Sequence, residues 1–213
     1  LVDFVGTNGS TTFLDQRPAT PRIWTAAGNA AISNVTAPLN GSTSGAFDGS
    51  GDWITTPDVA DLDPGTQSFC VETFVRFNAV AAGDHRLIER YQSTDANNPW
   101  MISQKSTGIL AYISSGLGGW DIANGINFGT VTINTWYHLA VVRNGPDFTG
   151  YFEGVGTALA TSSASLYDGG LPMTIGGANL DGQLNGYNGG FRYTIGVPRY
   201  TGNFPVPLAP FIL

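Results

Sequence analysis

The chain has 213 residues and a net charge of −7, with 42 % hydrophobic and only 12 % charged residues. Disorder is excluded, because it needs low hydrophobicity combined with high charge. The single lysine, Lys105, and eight scattered arginines form no basic stripe, so neither nucleic acid nor an anionic membrane surface is expected as a partner.

In chain order, residues 1–16 predict a short strand, a Gly/Asn turn and a second strand. Residues 22–33 predict two more strands around Gly28-Asn29. Further β-type runs fall at 45–57, 68–77, 85–91, 100–105, 108–115, 129–133, 134–145, 150–155, 173–177 and within 184–204. Each run is of ordinary strand length. Gly, Pro, Asn and Asp punctuate them at the spacing of an all-β sandwich. Residues 160–170 read as a strand edge or loop. No long stretch repeats apolar residues at i, i+3 and i+4, and no run of 18 apolar residues is present, so neither a helical frame nor a membrane-spanning helix is expected. The 29 glycines and 12 prolines have no period and supply turns. No linker divides the chain, so a single domain over 1–213 is expected, with 203–213 as an apolar Pro-rich tail. The tail is expected either along its own sandwich or against a neighbouring subunit. The chain begins at Leu1 in mid-pattern, so a slightly longer gene product is expected.

Several residue types narrow the chemistry. Cys70, the one cysteine, lies in an apolar strand run and reads as a small core hydrophobe. His138 alternates with Trp136 and Ala140 along a strand and is expected to bond a backbone carbonyl. His85 sits in a polar Asp-His-Arg turn and is expected to face solvent, so a His-based zinc site has no support. Arg76, Arg143, Arg192 and Arg199 each follow or interrupt an apolar run and require partners, for which Glu72 and Asp48 are the candidates. The remaining acids are mostly Asp, which suits turns. The sequons at Asn8, Asn34 and Asn40 would matter in a secreted eukaryotic protein.

Four segments together carry a family resemblance. The first is Phe47, Asp48, Gly49, Gly51, Asp52 and Trp53; the second is Phe69, Val71, Glu72, Phe74, Val75 and Arg76. The third is Trp136, His138, Ala140–Val142, Arg143 and Gly145. The fourth is Gly186, Tyr187, Phe191, Arg192, Arg199, Tyr200, Phe204 and Pro207. In this order they resemble the laminin-G-like, concanavalin-A-like lectin/glucanase superfamily. The opening segment (Asp3, residues 6–13, Asp15) and the closing one are most similar to laminin-G-like domains of tailed-bacteriophage structural proteins. The resemblance implies an all-β, two-sheet antiparallel jelly-roll sandwich. It also implies a non-enzymatic virion protein, a capsid decoration or a tail-fibre adhesion domain, on the surface of an extracellular particle. Its expected partners are copies of itself, other virion proteins and cell-surface glycans. The alternatives are a carbohydrate-binding module of a secreted bacterial polysaccharide-degrading enzyme, or a glycoside hydrolase.

The hydrolase reading lacks its motif. That branch carries paired carboxylates as E-x-D-x-x-E or a close variant on one strand, where side chains at i and i+2 share a face. Glu72, Glu89 and Glu153, the only glutamates, lie far apart, so no catalytic residue is assigned. For glycan binding the candidates are Trp120, Asp121 and Asn124 in a Gly-rich loop, with Trp100 and Tyr187. An aromatic ring stacks on a sugar's apolar face while amides and carboxylates bond its hydroxyls. The competing reading of Trp120, which the residues favour, is a ring folded over the core to cap one sheet end. No cofactor is assigned beyond a structural calcium ion, for which the resemblance implies rim oxygens at Asp3 with Asn8, or Asp181 with Asn185.

Overall fold

The computed structural model describes residues 1–17, 20–39, 42–90, 98–177 and 182–211. Its strands run in chain order as β1 (Val2–Asp3), β2 (Leu14–Asp15), β3 (Thr25–Ala27), β4 (Ala31–Ser33), β5 (Ser44–Asp48) and β6 (Trp53–Thr56). A 3-10 turn, η1 (Ala60–Leu62), is the sole helical element among the described residues. It is followed by β7 (Phe69–Phe77), β8 (His85–Arg90), β9 (Trp100–Lys105), β10 (Gly108–Ile113), β11 (Ala123–Thr130), β12 (Trp136–Asn144), β13 (Asp147–Phe152) and β14 (Val155–Thr161). The last three are β15 (Met173–Ile175), β16 (Gly182–Gln183) and β17 (Asn185–Ile195).

Two sheets stack as the expected sandwich. One runs β14-β13-β12-β7-β17-β1-β2, with β5 on the other half of β17's edge and β4 on β5. The other runs β11-β10-β9-β8-β15-β6-β3. All pairings are antiparallel except the short parallel contact of β16 with β8. The alternation of side chains explains the layering. In β7, Phe69, Val71, Val75 and Phe77 enter the shared core. In β10, Ile109, Ala111 and Ile113 do the same from the facing sheet.

The strands are placed differently from the sequence reading at two points. The Gly28 turn does not close a hairpin, because β3 joins β6 in one sheet and β4 joins β5 in the other. The strand expected at 129–133 lies earlier, as β11. Its glycine is a notch: a Cβ on Gly129 would meet the Phe152 ring at 2.1 Å, and a Cβ on Gly150 would meet Phe128 at 2.6 Å. Each aromatic fills the notch opposite, which draws β11 against β13 across the sandwich.

The outer face of the larger sheet is also apolar. Cys70, Ala140, Val142 and Tyr151 form a second cluster there, covered by Tyr200 and Phe204. The tail therefore lies along its own sandwich, with Phe211 stacked on Phe74 at 5.2 Å. This double burial is why β7 and β12 read as nearly continuous apolar runs.

Candidate functional site

On the outer face of the smaller sheet, β8, β9 and β10 present the side chains that do not enter the core. Met101 and Tyr112 are paired neighbours there. The register shifts between Arg86 and Ile88, so Arg86 and Glu89, three residues apart, share a face and form a buried ion pair at 2.9 Å. Against this floor stands Trp120, its ring tilted on Tyr112 with centroids 5.3 Å apart. Asp84, His85, Met101, Tyr112, Trp120 and Gly182 are among the residues that line a hollow of about 340 Å³.

The polar groups of the hollow are oriented from beneath. Oδ1 of Asp84 accepts the Tyr112 hydroxyl at 3.1 Å and the Ser103 hydroxyl at 3.2 Å, and Oδ2 faces Lys105 at 3.2 Å. His85 Nδ1 donates to the Gln183 carbonyl at 2.7 Å, which in the neutral ring leaves Nε2 as an acceptor. A Cβ at Gly182 would sit 1.9 Å from the His85 ring, so only glycine lets the imidazole lie there. Two aromatic surfaces beside a carboxylate and an imidazole acceptor suit a hydroxyl-bearing ring compound.

The loop that carries Trp120 is held by Asp121. Its carboxylate accepts the Ser115 amide at 2.7 Å and the Ser115 hydroxyl. Those bonds hold its pKa below the usual carboxylate range. Asp121 therefore staples the loop, and Asn124 is exposed on β11, outside the hollow's lining. Trp100 corrects the sequence reading: it is 1 % exposed and packs edge-on against Tyr193 in the core, where no sugar can stack on it. Tyr187 lies in a separate shallow hollow with Asp48, Asp52, Asn78 and Asn185, under the Arg76 guanidinium at 5.5 Å. Asp84, His85 and Tyr112 were missed as site residues. Tyr112 had a legible signal, since it alternates with Ile109, Ala111 and Ile113 on a strand whose other face is core.

The calcium candidates have poor donor sets. Asp3 is half-buried, and burial raises its pKa, which disfavours the anion a cation needs. Asn8 Oδ1 accepts the Asn34 amide at 3.1 Å. Beside Asn185, both oxygens of Asp52 accept backbone amides, from Asn29 at 2.7 Å and Asp48 at 2.9 Å. Asp181 lies outside the described residues. Asp58, Asp63 and Asp168 do bring three carboxylate oxygens within 4.8 Å of one another. The buried Arg90 guanidinium lies against two of them, Asp58 and Asp63, and supplies the positive charge.

Glu72 is fully buried. Arg192 reaches Oε1 at 2.7 Å, while His138 Nε2 at 3.1 Å and the Tyr200 hydroxyl at 2.7 Å reach Oε2. Burial pushes its pKa up, but these partners more than offset that and hold it below the ordinary value. His138 thus meets a carboxylate and not the expected carbonyl. Arg143 departs in the opposite direction. Its guanidinium donates to the carbonyls of Gly145, Gly65, Ser162 and Ala164 at 2.8–3.1 Å. Arg76 donates to Asn78 and Asn134, and Arg199 to Thr194, so Asp48 pairs with none of the four. His85 is half-buried and does not simply face solvent.

The comparisons agree with this architecture. A laminin-G family model, described as Concanavalin A-like lectin/glucanases superfamily, matches residues 48–192. The chain belongs to that superfamily. No curated protein matches it in sequence. Domain 4 of AbnA, a GH43 extracellular arabinanase from Geobacillus stearothermophilus solved with arabinotriose, is similar at 18 % identity and a TM-score of 0.58, over 81 % of each chain. The binding domain of Paraclostridial Mosquitocidal Protein 1 is similar at 13 % identity and a TM-score of 0.59, over 84 % of this chain and 46 % of that one. Botulinum neurotoxin type C, which gets into cells through interaction with two ganglioside molecules, is similar at 13 % identity and a TM-score of 0.62, over 89 % of this chain and 47 % of that one. The chain thus spans about half the length of these toxin structures. At such identities the likeness shows the fold alone.

Proposed function

We propose that this chain is a non-catalytic glycan-binding domain whose site is the hollow beneath Trp120. The observation that carries the reading is the Trp120–Tyr112 pair, 5.3 Å apart, beside an Asp84 carboxylate already oriented by Tyr112 and Ser103. Sugar rings bind by stacking on such faces and by hydroxyl bonds to preset acceptors. The likeness to a domain solved with arabinotriose and to a ganglioside-dependent toxin supports the reading. The non-catalytic part rests on the carboxylates. Glu72 is closed over by its partners, and the close trio of Asp58, Asp63 and Asp168 has Arg90 against it. An acid–nucleophile pair across a cleft needs carboxylates free to meet the substrate.

The virion setting is carried by the resemblance of the opening and closing segments, and we keep it as the context of this proposal. The oxygen of Asn8 is committed to a protein donor and Asp3 is disfavoured as an anion by burial, so structural calcium is no part of this proposal, and EDTA is expected to leave the melting temperature unchanged.

The test is a glycan array that includes arabino-oligosaccharides and ganglioside glycans, followed by calorimetry on the hits. Trp120→Ala is expected to weaken a bound glycan at least about tenfold, the loss of one stacking contact, with unchanged melting. Wild-type binding that survives this substitution overturns the site. Release of reducing ends from a bound polysaccharide overturns the non-catalytic reading.

A further inference from the structure

A second cavity, of about 410 Å³, opens where η1 meets the ends of both sheets. Trp24, Met173, Phe191 and Tyr193 contribute its apolar walls, and Arg17, Arg22 and Asp61 are among its polar ones. It shares no lining residue with the Trp120 hollow. Trp24 is 6 % exposed, and its indole Nε1–H has no hydrogen-bond partner in the protein. A buried N–H without an acceptor is costly, and an indole can only donate. Trp24 lines the cavity, so an occupant that offers an oxygen to the indole would offset that cost.

The rim restricts its charge. Arg17 donates to Asp61 at 2.7 Å and to Asp15 at 3.2 Å, and Arg22 also donates to Asp61. Asp63, further in, is paired with Arg90. A charged ligand would have to break one of these pairs, so a neutral one fits. The indole asks for an acceptor, and the spare lone pairs of the paired carboxylates can still accept a donor. Hydroxyl groups are both, and the ring of Trp24 beside Phe191, 6.2 Å away, suits an apolar face.

We propose that this cavity is a second binding site, for a single neutral sugar residue or cyclitol. It stands apart from the Trp120 hollow and does not depend on it. An ordered water could also accept the indole N–H, and the experiment separates the two.

The full chain, labelled with ¹⁵N and carrying Trp120→Ala to silence the first site, is titrated with D-glucose, D-galactose, L-arabinose and myo-inositol. The Trp24 indole signal is identified by its loss in Trp24→Phe, which keeps an aromatic wall. At least one probe is expected to shift that signal saturably. Trp24→Phe is expected to weaken that probe about tenfold, one hydrogen bond's worth of affinity. If Trp24→Phe does not fold, the exposed rim variant Asp61→Asn carries the affinity test, with the indole signal assigned through its contacts to Phe191. A Trp24 signal that no probe moves leaves water as the occupant and overturns the proposal, as does an affinity that the substitutions leave unchanged. Loss of oligosaccharide binding in Trp120→Ala alone bears only on the first site.

Discussion

Glu72 illustrates how one buried carboxylate can organise a face. Arg192, His138 and Tyr200 converge on it from β17, β12 and the segment that follows β17, and the Cys70 thiol lies 3.8 Å away. Burial raises the Cys70 pKa, so the thiol is inert as well as enclosed. Removing one member of a buried ion pair strands the other. Glu72→Gln is expected to lower stability by about 3 kcal/mol in urea unfolding. The pH dependence follows from the same contacts. The folded-state pKa of Glu72 lies below its ordinary value, so its stabilisation is complete above the ordinary carboxylate range. It is lost as pH falls through the lower folded value. Glu72→Gln is expected to flatten that acid limb of the stability–pH curve, and an unchanged slope would assign the limb to other carboxylates.

Among the elements, the hairpin of β13 and β14 and the tail are coupled through one turn. Glu153 and Gly154 have φ of 51° and 76°, the positive pair that a tight hairpin with native twist demands. The Phe204 amide donates to the Gly154 carbonyl at 3.0 Å. A Cβ on Gly154 would stand 1.9 Å from the Phe204 carbonyl oxygen, which is backbone and cannot swing aside. Gly154→Ala is expected to cost about 1–3 kcal/mol through its φ alone and also to lift the tail. Limited proteolysis reads the second effect directly: cleavage between residues 197 and 211 should quicken in the variant. Equal cleavage rates would show that the tail is held elsewhere, by Phe211 on Phe74 and under the Arg192 guanidinium at 4.8 Å.

For the whole molecule, the tail decides which surface is offered to partners. The outer face of the larger sheet carries Val142, Tyr151 and Phe74, all at most 5 % exposed while the tail covers them. A chain ending at Gly196 should expose that face and self-associate, read as a rise in mass by light scattering. The same measurement on the full chain tests the proposed homo-oligomer. A stable oligomer supports assembly on a particle, and a monomer supports the stand-alone binding-module reading.

The strands β7, β12 and β17 were legible because alternation and turn residues are local properties. Phe69 to Phe77 declares a strand wherever it is packed. The superfamily was legible for the same reason, since its motifs lie within single strands and their turns. Sheet membership was not: β3 and β4, or β5 and β6, are adjacent in sequence and part to opposite sheets, because period-two alternation says which side is buried and not against which sheet. β11 was misplaced because its glycine and asparagine carry little strand propensity, and the match of Gly129 to Phe152 exists only across the sandwich. Of the expected site, Trp120 stood out as an aromatic among loop glycines. Trp100, after two asparagines and a proline, also suggested a loop aromatic and belongs to the core, while Asp84, His85 and Tyr112 join Trp120 from two other segments. Strand identity is written in neighbours along the chain. A binding hollow is written in neighbours through space, and only the packing of β8, β9 and β10 beneath one loop brings these residues together.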